Sequence, residues 1–277
     1  MKKIMIAAAA LVAMTACNKT LIEGPVADSE YGYINLGVTA DTEMEVATKA
    51  GEVYENYLVG LFKNDVAFWT SDKGASDGYI KYSIAVSAEK TDLWKVPAGQ
   101  YEVRVQNMTL AEANPNSAKG YIYIYGADAD VNVTAGNTET ATVSCDPHCT
   151  AVTIEYAEDF KDTFQEGYSV NIVNGTRSVT MNEGASEEDR AYFNIISGDS
   201  IELTWNLSAT LKSASSPKYY TAKFNSSKAK CTHLKFTTNG NTNGQITVQI
   251  SVNDTISETI TVDAEINPLG GSTTQNN

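Results

Sequence analysis

Apolar and polar residues alternate along most of the chain, in short runs that are separated by turn-forming residues. In 34–38 the even positions are apolar and the odd positions are polar or small. In 101–106 the odd positions are apolar and the even positions are polar. Because successive side chains of a strand point to opposite faces, this period of two predicts strands with one buried face. The pattern recurs at 122–125, 131–133, 138–144, 152–156, 168–173, 201–207, 246–252 and 260–266.

No segment of comparable length has the spacing of an amphipathic helix, so the chain is predicted to be all-β. Many short strands parted by Gly, Asn, Asp and Ser are typical of antiparallel β-sandwiches, and 277 residues suit two domains. We expect two tandem antiparallel sandwiches of the immunoglobulin or transthyretin type, at 30–145 and 150–268. The turn at 146–148 is the best boundary, because Pro147 cannot donate to a central ladder.

The first residues have the order of a bacterial lipoprotein signal. Lys2 and Lys3 precede an apolar run at 4–14 that is shorter than the roughly 20 residues of a membrane-spanning helix. Small residues then precede Cys17, and only a thiol can carry a thioether-linked diacylglycerol. We expect a signal peptide at 1–16 and lipid on Cys17, with an ordinary signal peptide cut elsewhere as the alternative. Two or more acyl chains would give a lasting membrane anchor.

A flexible tether at 17–29 and a disordered tail at 269–277 complete the predicted layout. The chain is acidic, with 20 Lys and Arg against 34 Asp and Glu and a formal net charge of −14. This balance disfavours nucleic acid and anionic lipid surfaces as partners. After lipidation of Cys17 an odd number of cysteines remains, Cys145, Cys149 and Cys231, so at most one internal disulfide can form and the sequence leaves their state open.

Two segments invite a metal interpretation and neither fits well. Cys-Asp-Pro-His-Cys at 145–149 holds two thiols and a histidine, but structural zinc usually needs a second pair, and Cys231 and His233 are far away in sequence. The acidic segment 128–139 resembles a calcium loop, but Val133 stands where that loop needs glycine. We predict no metal and interpret 145–149 as a turn between domains, with its cysteines free or bridged to each other.

The chain contains no recognisable catalytic motif. It has two histidines, no Gly-x-Ser-x-Gly elbow, no His-Glu-x-x-His and no glycine-rich phosphate loop. We therefore expect a protein without enzymatic activity or cofactor. An enzyme that used dispersed carboxylates alone would carry none of these motifs.

A tyrosine-rich strand is predicted at 120–126. Its alternation places Tyr121, Tyr123 and Tyr125 on one face and two isoleucines on the other. Such a face can stack on sugar rings, and it can equally cover a core whose apolar side is formed by the isoleucines. Both interpretations stay open at this stage.

Four parts of the sequence together resemble a known family. They are the lipoprotein start, 32–36 followed by 47–50, the segment 96–105 with its Pro-Ala-Gly-x-Tyr element, and 133–145. They resemble a family of Bacteroidales cell-envelope lipoproteins with a domain of unknown function, similar in layout to the fimbrillin-like anchored proteins. The resemblance covers 31 to about 156 and implies β-sandwich domains and an adhesive or fimbrial role.

In fimbrillins a trypsin-like protease removes the first strand after a basic residue, and the emptied groove accepts a strand from the next subunit. By this resemblance 31–39 would be the released strand, Lys49 the cleavage site and 260–266 a candidate donor strand. Arginine is the usual residue where Lys49 stands, and the alternative for Lys49 is an ordinary loop residue.

The resulting hypothesis is a non-enzymatic, lipid-anchored outer-membrane protein, on the cell surface or on the periplasmic face. It would act as an adhesin or accessory fimbrial-type subunit whose partners are membrane lipid, through acylated Cys17, and other fimbrial subunits. The alternative is a surface glycan-binding lipoprotein for carbohydrate capture, motivated by Tyr121, Tyr123 and Tyr125.

Overall fold

The structure is a computed structural model that describes residues 30–40, 57–87, 93–116, 119–185, 189–240, 244–252 and 255–262. Within these residues the chain is mostly strand, and its helices are no longer than six residues. The predicted all-β class is confirmed. The predicted signal peptide, Cys17, the predicted tether, Lys49 and the predicted tail lie outside the described residues.

The elements follow one another in short steps. The strands are β1 Tyr31–Ala40, β2 Leu58–Lys63, β3 Val66–Ala67, β4 Tyr79–Lys81, β5 Lys95–Pro97, β6 Gly99–Gln106, β7 Ile124–Val133, β8 Thr138–Pro147, β9 Cys149–Tyr156, β10 Ser169–Asn174, β11 Arg177–Asn182, β12 Ala191–Asn194, β13 Ser200–Thr210, β14 Pro217–Ser227, β15 Cys231–Thr237, β16 Ile246–Val252 and β17 Thr255–Val262. The short α-helices are α1 Tyr82–Ala85, α2 Leu110–Ala113 and α3 Glu158–Thr163.

The strands of the first half form one continuous hydrogen-bonded path. Its order is β3-β2-β6-β7-β8-β1-β5, and β4 also pairs with β2. Inward positions of β6 and β8, such as Val103 and Val143, are fully buried in a cluster that also holds Trp69 and Trp94. The alternation seen in the sequence thus places one face of these strands in a core.

The second half contains two sheets. One has the order β11-β10-β13-β14 and the other the order β12-β9-β15-β16-β17. A second cluster includes buried side chains from both sheets, with Trp205 and Ile172 from the first and Phe236 and Ile154 from the second. Trp205 and Phe236 meet edge to face at 5.3 Å between ring centroids, an arrangement that aromatic pairs favour.

Two pairs of strands are parallel, which departs from the predicted antiparallel pairing. β1 runs parallel to β8 and β9 runs parallel to β15. Apolar alternation reports which face of a strand is buried and carries no information about the direction of its neighbour. Parallel neighbours need a long connection, and in both pairs the partner strands are far apart in sequence.

The predicted turn at 146–148 is shorter in the structure. Asp146 and Pro147 are the last residues of β8, and His148 alone separates that strand from β9. The first hydrophobic cluster draws on 34–145 and the second on 152–250. The division into two domains remains a prediction, and the two clusters show where each half buries its apolar residues.

Candidate functional site

The first strand occupies a slot between β8 and β5. β1 pairs in parallel with β8 from Tyr33 to Ala40, and antiparallel with β5 from Tyr31 to Tyr33. Ile34 is buried, and Leu36 and Val38 are half-buried against the first cluster. The strand that the fimbrillin resemblance assigned to 31–39 is therefore held by backbone ladders and by alternate side chains in apolar surroundings.

The beginning of β1 is fixed against the turn between β7 and β8. Tyr33 donates its N–H to the carbonyl of Asn137 at 2.9 Å, and Gly136 donates to the carbonyl of Tyr31 at 2.8 Å. A Cβ atom on Gly32 would lie 2.4 Å from the carbonyl oxygen of Thr134. Gly32 is therefore needed for this close backbone approach.

The three tyrosines named from the sequence do not share one exposed face. Tyr121 is 61% exposed, whereas Tyr123 is 8% exposed and donates its hydroxyl to Oε1 of Gln106 at 2.7 Å. Burial raises the pKa of Tyr123. Tyr125 is half-buried, with ring centroids 6.2 Å from Tyr123 and 5.2 Å from His148.

The expected strand also begins later than predicted. Asn107 donates from Nδ2 to the carbonyl of Ile122 at 2.8 Å, and its Oδ1 accepts the N–H of Ile124 at 2.9 Å. The side-chain amide of Asn107 thus makes the hydrogen bonds that a neighbouring strand would make here. β7 therefore starts only at Ile124. The predicted tyrosine face is corrected accordingly: Tyr123 is a packing residue.

The histidine of the 145–149 segment belongs to a charged cluster between the two halves. Lys228, in the connection between β14 and β15, lies with Nζ 2.8 Å from Oδ2 of Asp146 and 2.9 Å from Nε2 of His148. His148 Nε2 is 3.3 Å from Oδ1 of Asp146. Burial and the positive charge of Lys228 lower the pKa of His148, against the opposing effect of Asp146. Neutral His148 can then accept a hydrogen bond from the ammonium group of Lys228.

The cysteines of this segment are buried in apolar surroundings. Cys145 and Cys149 are free thiols, so the structure does not contain the disulfide between them that the sequence left open. Burial raises the pKa of Cys145 to about 12 and that of Cys149 to about 11. Cys149 and Cys231 pack with Ala151 in a small third cluster. High thiol pKa values disfavour the reactive thiolate form.

The residues considered for metal binding have other partners. His233 lies with Nδ1 2.9 Å from Oγ1 of Thr153 and Nε2 3.4 Å from Glu155. Asp128 accepts the N–H of Thr142 at 2.8 Å. No group of three His, Cys, Asp or Glu side chains in the described parts of the chain is placed to hold a metal ion.

A connection between the halves was not foreseen from the sequence. Residues 113–116 and 119–121, here called the strap, leave the first half and lie along the second. Arg177 donates from Nε to the carbonyl of Pro115 at 2.8 Å and from Nη1 to the carbonyl of Tyr192. Ser178 donates its N–H to the carbonyl of Asn116 at 3.2 Å. The carbonyl of Lys119 accepts the N–H of Tyr192 in the same way. The strap therefore bonds to β11 and β12, which belong to different sheets of the second half.

Arg177 is the central residue of this connection. Its side chain is 4% exposed, and its guanidinium carbon lies 4.4 Å from the ring centroid of Phe193. Burial lowers the pKa of Arg177 to about 10. Tyr192 also donates its N–H to the carbonyl of Lys119 at 2.7 Å, and Lys119 pairs with Asp189 at the surface. One signal in the sequence could have indicated Arg177: it shares the alternating phase of the buried residues Val179 and Met181.

These features define a β protein with an inserted first strand and no recognisable catalytic group in the described residues. Residues 30–268 match the family described as "Domain of unknown function (DUF4493)". The chain belongs to this family, and the resemblance to a family with a domain of unknown function is confirmed. The description of the family names no function.

The chain is also similar to solved structures of proteins from Bacteroides and Parabacteroides species. A putative cell adhesion protein from Bacteroides eggerthii is 12% identical, with 82% of this chain and 96% of that chain covered and a TM-score of 0.40. A fimbrial assembly protein from Parabacteroides distasonis is 12% identical, with 86% and 99% covered and a TM-score of 0.39. A structure of putative polysaccharide binding proteins from Bacteroides thetaiotaomicron is 12% identical, with 79% and 97% covered and a TM-score of 0.37.

At these identities and TM-scores the similarity carries no information about what this chain binds. No curated protein matches the sequence. Among the described residues, no helix combines the length and the apolar character needed to cross a bilayer.

Proposed function

We propose that this protein is a non-catalytic, lipid-anchored protein of the outer membrane that acts as an adhesin or accessory fimbrial-type subunit. The observation that carries the proposal is the position of β1. The first strand lies between β8 and β5, and the chain that follows it contains Lys49. Cleavage after Lys49 would disconnect β1 from the rest of the protein while leaving it seated in its slot.

Loss of β1 would leave unpaired backbone groups on β8 and β5. Exposed strand edges of this kind accept strands from other molecules, and the inward positions filled by Ile34, Leu36 and Val38 would become pockets for alternate apolar side chains. The empty slot would then accept a strand from a second subunit.

The structure limits which strand could be donated. Residues 260–262 of the candidate donor lie in β17, where Ile260 is opposite Val248 and Val262 is opposite Ile246 of β16. The remainder of the candidate lies outside the described residues. A donor formed by 260–266 would have to leave β16, at the expense of its backbone bonds, before it entered another subunit.

A site-specific cleavage experiment tests the proposal. Lys49 is the only Lys or Arg between Lys19 and Lys63, so a Lys/Arg-specific protease has one target in the connection after β1. We expect cleavage there to yield a ladder of oligomers on an unboiled gel. The variant Lys49→Gln should remain uncut at this position and monomeric, and a single band from the cleaved wild-type protein would contradict strand exchange.

Capture of glycans on a tyrosine face receives no support from the described residues. Tyr123 is buried and its hydroxyl is bonded to Gln106, so Tyr121, Tyr123 and Tyr125 cannot present three rings side by side to a sugar. We therefore propose the adhesive or fimbrial role alone.

A further inference from the structure

We propose that the parallel pair β1–β8 is a mechanical joint that resists force in shear, between the membrane side of the protein and its second half. This function rests on the proposed anchoring and adhesion and belongs to the uncleaved form that retains β1, because an anchored adhesin that holds a partner is pulled from both sides. The joint itself follows from strand direction and register.

The direction of the strands decides how such a force acts. The chain enters β1 at Tyr31 from the side of the predicted anchor, and it leaves β8 at Pro147 towards the second half. Because the two strands are parallel, these points lie at opposite ends of the pair. A pull on both points slides the strands along each other.

Sliding loads the ladder differently from peeling. The hydrogen bonds of a parallel pair are evenly spaced along the strands, so a sliding force is shared by the whole register from Tyr33 opposite Thr138 to Ala40 opposite Cys145. If β1 and β8 were antiparallel, the two loaded ends would be neighbours. The bonds would then break one after another.

Side chains oppose the same movement. Ile34 on β1 and Ala141 and Val143 on β8 are buried in the first cluster, and displacement along the strand axis would draw them out of their packing. The start of β1 is additionally held by the bonds of Tyr31 and Tyr33 to the turn between β7 and β8.

The load continues in the same manner through the second half. β9 is parallel to β15, and β15 to β16 and β16 to β17 are antiparallel. β9 and β17 therefore point the same way, which places Cys149 and Val262 at opposite ends of one sheet. A force between these residues also acts along the strands.

The connection between the halves keeps the two loaded regions aligned. His148 is the single residue between β8 and β9. Lys228, which belongs to the second half, contacts both His148 and Asp146. The strap and Arg177 provide a second connection at a different place. Two separate attachments oppose bending at His148.

Single-molecule force spectroscopy tests the joint in two pulling geometries of the same protein. In the first, handles are attached before residue 30 and after residue 262, which loads β1–β8 in shear. In the second, the later handle is moved to the exposed turn between β7 and β8 through Ala135→Cys. Both handles then lie at the same end of the parallel pair, and β1 is peeled from β8.

We expect the force that releases β1 to be several-fold higher in the shear geometry. Because Ala135 is exposed, both proteins should have the same stability to urea, which serves as the control. Equal release forces in the two geometries would overturn the proposal. The measurement uses uncleaved monomers, so a missing ladder after protease treatment would refute strand exchange and leave this result unaffected.

Discussion

At the residue scale, close backbone contacts place sharp limits on the fold. Gly126 of β7 lies against β8, where an added Cβ atom would be 2.3 Å from the carbonyl oxygen of Ser144 and 2.9 Å from Cα of Cys145. Both atoms belong to the backbone, so no side-chain rotation can relieve the contact. Gly37 of β1 offers a comparison, because its nearest contact would be an ordinary 3.8 Å to the carbonyl oxygen of Ala141.

Replacing these glycines should have opposite effects. Gly126→Ala should destabilise the protein by roughly 1–3 kcal/mol, as other overpacked sites do. Gly37→Ala should be neutral or stabilising by up to about 1 kcal/mol, because glycine in a strand loses more conformational freedom on folding. Urea unfolding followed by tryptophan fluorescence measures both. Equal midpoints for the two variants would show that β7 and β8 are not in such close contact.

At the scale of elements, the sequence predicts strands better than it predicts their neighbours. Alternation locates most of β1, β6, β8, β9, β10, β13 and β16, because burial of one face fixes every second residue. It misplaces 121–123, where Asn107 satisfies the backbone by a side chain. Nor does it predict the parallel pairs or the strap, since both depend on contacts between distant segments. The alternating phase of β11 indicates that Arg177 faces inward, but its carbonyl partners lie on distant segments and cannot be predicted from the sequence.

The junction between β8 and β9 should make stability depend on pH. The pKa of His148 is lowered in the folded state, so the unfolded chain binds a proton at higher pH than the folded one. The stabilising effect of neutral His148 is complete above its ordinary pKa of about 6.5 and is lost as the pH falls through the lower folded value. We expect the free energy of unfolding to decrease on acidification from pH 7.5.

His148→Gln is the matched variant for this measurement, because its amide oxygen can still accept from Lys228 and does not titrate. The pKa of Glu155 is lowered by Lys235, and its contribution is lost at more acidic pH in both proteins. Chemical unfolding at a series of pH values should therefore show a smaller decrease just below about pH 6.5 in the variant. Identical pH profiles for the two proteins would remove His148 from the explanation.

At the scale of the whole molecule, the two hydrophobic clusters are joined through the strap. Its carbonyls accept bonds from Arg177 and Ser178, and its Lys119 carbonyl accepts from Tyr192. β11 and β12 are thus both hydrogen-bonded to residues of the first half.

Arg177→Met should uncouple the two halves. The substitution keeps an apolar side chain beside Phe193 and leaves the carbonyls of Pro115 and Tyr192 without a charged donor, at a cost of about 1.5–3 kcal/mol for each bond. We expect one calorimetric unfolding transition in the wild-type protein and two in the variant. Lys119→Ala removes an exposed pair with Asp189 and should cost less than about 1 kcal/mol. A single, unshifted transition in Arg177→Met would contradict this role.

The parallel pairing of β1 with β8 also has a consequence in time. During synthesis β1 is made first, but its partner follows about 100 residues later, so the strand cannot dock until most of the first half exists. Pairing strands so far apart in sequence is slower than pairing neighbouring strands such as β7 and β8. We therefore expect β1 to dock on β8 only after β7 and β8 have paired. On this expectation the edge of β8 that receives β1 is open during part of folding, as it would be after loss of β1 by cleavage.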